Sequence, residues 1–236
     1  KVELVKAQFV NMVAHELRAP LAAVDSSLMV ILQGFAPDPA KQRELLDRAH
    51  ARLQALLELV NDLLAISRMD ARTVVREIRA VAVGPLAEEI CDLMRAVAEE
   101  RGVRLSLAVE PDLPLLEADR QELSAVLTNL VSNAIKYNRP GGTVDVSLRI
   151  ERPYLVLTVA DTGLGISHEG QARIWDEFFR EKTNENAQVV GTGLGLSIVK
   201  RVVESYHGQL GLTSEPGVGS EFTVRLPLTQ STGGHA

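Results

Sequence analysis

Four groups of side chains in this 236-residue sequence have the types and spacing of chemistry, and the first is His15-Glu16. A histidine beside a carboxylate couples a nucleophilic imidazole, with an ordinary pKa of about 6.5, to a group that can hold its ring N–H and fix the tautomer. Apolar residues at Val10, Val13, Leu17, Leu21, Val24, Leu28 and Ile31 recur at threes and fours, the spacing of one helical stripe. At about 100° per residue, His15 falls roughly 160° from Leu17, on the far side of that stripe, where it faces water or a partner.

The second group is Asn129, Asn133, Lys136 and Tyr137. The first three share one face of a helix predicted over Arg120–Tyr137, opposite Leu123, Val126, Leu127 and Leu130. Amide oxygens are hard ligands suited to Mg²⁺, lysine offers phosphate a mobile cation, and the tyrosine ring can border a nucleotide. Asp161-Thr162-Gly163-Leu164-Gly165 is the third group, ending a predicted strand. Its carboxylate could accept from the exocyclic amine of adenine while the glycines let the base approach, or it could simply close an Asx turn. The fourth, Gly191-Thr192-Gly193-Leu194-Gly195, precedes an apolar helix, so bare amides and a helix N-terminus could cradle phosphates. Glycine-rich turns before helices also serve plain packing, and the spacing alone leaves both readings open.

The elements that must hold these groups fall into two parts. Residues near 3–33 and 40–69 read as long amphipathic helices, separated by the turn chemistry of Gly34-Phe35-Ala36-Pro37-Asp38-Pro39. In the second helix Ala49, Leu53, Leu56, Val60 and Leu63 form the stripe, widened by Leu46, Leu57 and Leu64. Two helices cannot bury such faces alone, so the hairpin is expected to pair with a copy of itself as a four-helix bundle. Beyond Arg72, β-rich runs at 73–78, 103–109, 143–150, 155–160 and 221–226 alternate with helical segments at 86–100, 120–137 and 196–207. That order predicts one sheet with helices on one face. The long polar stretch 165–191, with Lys182-Thr183-Asn184-Glu185-Asn186, has the length of a lid.

Composition narrows the classes. A net charge of −6 with scattered basic residues argues against nucleic acid as a partner. The lone Cys91 sits in an apolar helical pattern and reads as a reduced core thiol. His50, His168, His207 and His235 have no carboxylate or cysteine at ligand spacing and read as surface residues. Without a membrane-length apolar run or signal peptide the chain is expected to be cytoplasmic. Its start inside a helical pattern hints at a fragment, with a sensor or membrane module upstream and the full-length protein anchored to an inner membrane as one possibility.

Taken in order, these motifs resemble those of the sensor histidine kinases of bacterial two-component systems. Phe9–Leu21 resembles the H box, Asn129–Tyr137 the N box, Asp161–Gly165 the first glycine box, Ile174–Arg180 the F box and Gly191–Gly195 the second glycine box. The resemblance implies a dimerisation and phosphotransfer hairpin over 1–70, then a two-layer α/β sandwich of the fold shared with DNA gyrase B and the heat-shock ATPases over 71–229, with a tail at 230–236. It implies a protein-histidine kinase that phosphorylates its own His15 from ATP and passes the phosphoryl group to an aspartate of a response-regulator receiver domain. Asn133 would ligate Mg²⁺ with Asn129 close to the same ion, and Asp161 would specify adenine. Lys136 and Tyr137 would border the nucleotide. Gly163, Gly165, Gly191, Thr192, Gly193, Leu194 and Gly195 would shape the pocket, Phe178 and Phe179 would help close its lid, and Arg180 would approach phosphate.

Three further expectations follow. Pro20 removes a backbone donor and should bend the first helix one turn after His15. The segment 67–76 is the expected hinge. Ala14 and Ala19 stand where the family commonly has serine and threonine; Ala19, one turn from His15, offers no hydrogen bond to a hydrolytic water, so phosphatase activity is expected to be weak.

Overall fold

The computed structural model describes residues 2–70, 76–181 and 191–228, with side chains described at all of these except 2–12, 15, 16 and 65–70. By contacts the chain divides into two compact units, one of Lys1–Ser67 with Val190–Thr192 and one of Arg68–Val189 with Gly193–Ala236. None of the described helices is long and apolar enough to cross a membrane.

The first unit is built on two helices, α1 (Val2–Leu32) and α2 (Pro39–Asp70). α1 runs on through Pro20. It ends because Gly34 enters the left-handed region at φ +76°, which lets Phe35 N–H reach Val30 C=O at 3.0 Å and Gly34 N–H reach Ile31 C=O at 3.1 Å. This paired closure satisfies carbonyls the last turn would otherwise leave open. α2 begins where Asp38 caps it, accepting from Ala40 N–H at 3.0 Å, with Pro39 as a first helical residue that needs no donor. Ala49, Leu56 and Leu59 are buried, yet Leu46, Leu53, Leu57, Val60 and Leu64 of α2 stay exposed, as do Leu21 and Leu28 of α1. The expected stripe is therefore split: Leu59, outside it, is buried, and Leu53 and Val60, inside it, are not.

The second unit runs β1 (Ile78–Val81), α3 (Val83–Glu100), β2 (Arg104–Val109), β3 (Leu116–Asp119), α4 (Arg120–Lys136), β4 (Thr143–Glu151), β5 (Tyr154–Asp161), α5 (His168–Gln171), α6 (Gly195–Ser205), β6 (Gln209–Glu215) and β7 (Gly219–Pro227). A five-stranded sheet has the order β2-β4-β5-β7-β6, with β2 and β4 parallel and the rest antiparallel. Register aligns Val146 with Val159 and Leu157 with Val224, so one face is continuously apolar, and α3, α4 and α6 pack on it. Leu127, Leu130, Ile135, Leu148, Leu155 and Ile198 fill the interface and are almost fully buried. On the other face Arg149 and Arg225 flank Val156 in register, and their apolar stems help account for its 0% exposure.

The expectation of one sheet is corrected. β1 and β3 form a separate antiparallel pair, Ile78 opposite Asp119 and Val81 opposite Leu116. The first strand lies later than the predicted 73–78, of which 73–75 are outside the described residues. β3 has only four residues and two buried positions, too short for periodicity to declare. β6 is an edge strand poor in apolar residues, and pairing with β7 is what makes it a strand.

Candidate nucleotide site

α4 carries the first part of the site. Asp119 caps it, accepting from Gln121 N–H at 2.8 Å, and burial of Leu123, Val126, Leu127, Leu130 and Val131 against the sheet fixes its rotation. Asn129, Asn133 and Lys136 are thereby turned to half-buried positions along one edge. The Asn129 amide donates Nδ2–H to Ala125 C=O at 2.9 Å, which leaves Oδ1 directed at Gly195. A Cβ at Gly195 would stand 2.3 Å from that oxygen, so only glycine lets the N box and the start of α6 meet. Tyr137 closes α4, its N–H bonded to Asn133 C=O at 2.9 Å.

The first glycine box joins α4 through the backbone. Leu164 N–H donates to Tyr137 C=O at 3.0 Å, and a side chain at Gly163 would stand 2.4 Å from the same carbonyl. Asp161 ends β5 with Oδ1 accepting from Gly163 N–H at 2.8 Å. Burial pushes its carboxyl up to about 6, against the pull of the Gly163 and Ser220 N–H groups. Gly219, at φ +142°, brings its backbone so close to Asp161 C=O that a Cβ would lie 1.9 Å away. Gly219 and Ser220 thus frame the aspartate. The sequence does not single them out, because the β5–β7 pairing that brings them beside Asp161 is non-local.

The second glycine box meets the F box. Phe178 N–H donates to Gly193 C=O at 2.9 Å; Gly193 sits at φ +73° and Phe178 at φ +61°, a left-handed conformation rare for an aromatic residue. A Cβ on Gly193 would meet the Phe178 carbonyl carbon at 2.8 Å. The Leu194 side chain is 0% exposed and belongs to the core, so what it can offer a nucleotide is its main chain. α6 has no side-chain cap, which leaves its first N–H groups available to an anion. Gly191 and Thr192 group by contacts with the first unit, apart from Gly193 and Gly195.

Gly165, at φ +66°, closes against Glu215 C=O, and Arg180 and Phe179 are half-buried in the F box. The backbone of His15 and Glu16 is helical, but both side chains, the 182–186 stretch, 71–75 of the expected hinge, and the tail with His235 lie outside the described residues. His50, His168 and His207 are exposed, and Cys91 is buried, its thiol pushed up by burial. Among the described residues no cluster of histidine, cysteine or carboxylate could hold a metal. The amide oxygens of Asn129 and Asn133 are hard donors of the kind that suits Mg²⁺.

Comparison with known proteins bears on the family and the fold. Residues 5–72 match the model of the His Kinase A (phospho-acceptor) domain, and 118–230 that of the Histidine kinase-, DNA gyrase B-, and HSP90-like ATPase. The circadian input-output histidine kinase CikA of Synechococcus elongatus is 34% identical over 94% of this chain and 30% of its own length. Full-length ShkA in complex with AMPPNP superposes with a TM-score of 0.67 at 28% identity, over 95% of this chain and 46% of that one. Histidine kinase ThkA, in a complex with response regulator TrrA, shares the fold at a TM-score of 0.75 and 22% identity, over 95% of this chain and 62% of that one. The chain spans only part of the length of such relatives, 23% of the sensor histidine kinase RcsC of Escherichia coli and 59% of SenX3 of Mycolicibacterium smegmatis.

Proposed function

Because this chain belongs to the sensor histidine kinases of two-component systems, we propose that it is an ATP-dependent kinase that phosphorylates its own His15 and passes the group to an aspartate of a receiver domain. Residues 1–70 act as the phosphotransfer and dimerisation hairpin, and 71–229 as the catalytic domain. The observation that carries this reading is the convergence of Asn129 on Gly195 and Tyr137 on Gly163, which gathers three separated motifs into one site in a chain that bears His15 on a phospho-acceptor helix.

In this mechanism Asp161 accepts from the adenine amine, and Gly163 leaves room for the base. Lys136, the α6 N-terminus and the backbone of Gly193–Gly195 hold phosphate oxygens. Mg²⁺, when bound by Asn133 and Asn129, supplies charge neutralisation on the phosphates. Glu16 holds the protonated ring nitrogen of His15 while the other nitrogen attacks the γ-phosphorus; the N–P bond forms, the bridging P–O bond breaks, and ADP leaves. The exposed leucines of α1 and α2 suit pairing with a second copy. Incubation with labelled ATP tests the reading: acid-labile, alkali-stable phosphate is expected on the parent and none on His15→Gln. ATP hydrolysis without self-labelling, or label that survives His15→Gln, overturns it.

A further inference from the structure

The two helices that carry the nucleotide site are gripped a second time at their other ends. Arg76, two residues before β1, donates to Glu122 Oε2 in the first turn of α4 and to Ser205 Oγ at the end of α6 at 3.1 Å. Its guanidinium lies 4.6 Å over the ring of Tyr206, which is 3% exposed. Tyr206 Oη donates to Glu122 at 2.6 Å and accepts from Asp119 N–H at 2.8 Å. Glu77 N–H donates to Asp119 Oδ2 at 3.0 Å. Burial, then the bond to Glu122, pushes the Tyr206 hydroxyl up, so it remains a donor at any working pH.

This network is more than β1 needs to stay in place. β1 is already paired with β3 over four positions. The Arg76 side chain is 38% exposed and that of Glu122 14%, so their ion pair contributes little net stability, and what the network adds is fixed geometry. Here the fixed point lies where the chain enters the nucleotide-binding unit. Glu122 is seven residues from Asn129 on α4, roughly 10 Å, and Ser205 is ten from Gly195 on α6, roughly 15 Å, so the grip touches no nucleotide residue.

We propose that Arg76 is a positioning residue for phosphotransfer: held by Glu122, Ser205 and the Tyr206 ring, it fixes the direction in which the chain enters the catalytic unit, and so governs the rate of transfer to His15 without governing nucleotide affinity. The proposal rests on the kinase reading above. Its test uses the full chain with Arg76→Met and, separately, Glu122→Gln, which keeps an acceptor for Tyr206. Both are expected to lower kcat for His15 labelling roughly tenfold, as misorientation of reacting groups does, while KM for ATP and the affinity for a fluorescent ATP analogue stay within about twofold. Amide exchange at Glu77 should accelerate in both. A kcat within about twofold of the parent in both variants overturns the proposal, as does a parallel loss of nucleotide affinity, which marks an ordinary structural role. A parent that never labels His15 overturns the kinase reading itself, and the role of Arg76 in transfer with it.

Discussion

The α/β unit buries its own apolar face and the helical unit does not. In the first, Val144, Val146, Leu148, Leu155 and Leu157 of the sheet disappear beneath α3, α4 and α6. In the second, Leu53 and Leu57 of α2 remain 45% and 51% exposed. The difference teaches that the α/β unit is a self-sufficient scaffold, whereas the helical unit keeps apolar surface that a second copy, as proposed above, would cover.

Breaking that contrast should show first in assembly. Leu53→Asp with Leu57→Asp is expected to weaken self-association at least ~100-fold, since each leucine lost from a buried face removes about 1.5–3 kcal/mol in each protomer. Sedimentation would register the monomer while nucleotide binding persists; an unchanged dimer would mean that another surface pairs. Next, Leu130→Ala on α4 should cost about 2–5 kcal/mol of stability in denaturant melts, because its side chain is 1% exposed and its truncation leaves a cavity in the core.

A smaller effect should come from pH. Asp161 titrates near 6, so nucleotide affinity is expected to fall by up to about tenfold per unit as pH drops below that value and the carboxylate acceptor is lost. Asp161→Asn should flatten the profile in isothermal titrations. The stability sign is opposite. Because the folded state raises this pKa, the native form holds the proton more tightly, and the group's favourable contribution, full below the ordinary carboxylate range, is lost as pH rises through 6. Last, Ala19→Thr should add a measurable phosphatase rate toward the phosphorylated regulator while leaving His15 labelling within about twofold. Rapid dephosphorylation by the parent would show that Ala19 does not limit it.

Much of the site was legible because its residues lie in short local motifs. The 3.6-residue repeat of α4 places Asn129, Asn133 and Lys136 together, and the same repeat buries Leu123, Val126, Leu127 and Leu130. β3 and β6 were not legible, since four residues, or an edge strand with few apolar side chains, carry no period. Nor was the core role of Leu194, which reads in sequence as one more member of a glycine-rich loop.

The sequence by itself determined the order of the motifs, the helices that bear them and the polar face that α4 turns away from the α/β core, because these depend on neighbours within a turn or two of chain. Only the tertiary structure decided that Gly195 yields space to Asn129, that Gly219 and Ser220 frame Asp161, and that Arg76 reaches residues 46 and 129 positions away. Those contacts are set by strand pairing and helix packing, and a local pattern carries no record of which distant backbone will arrive beside it.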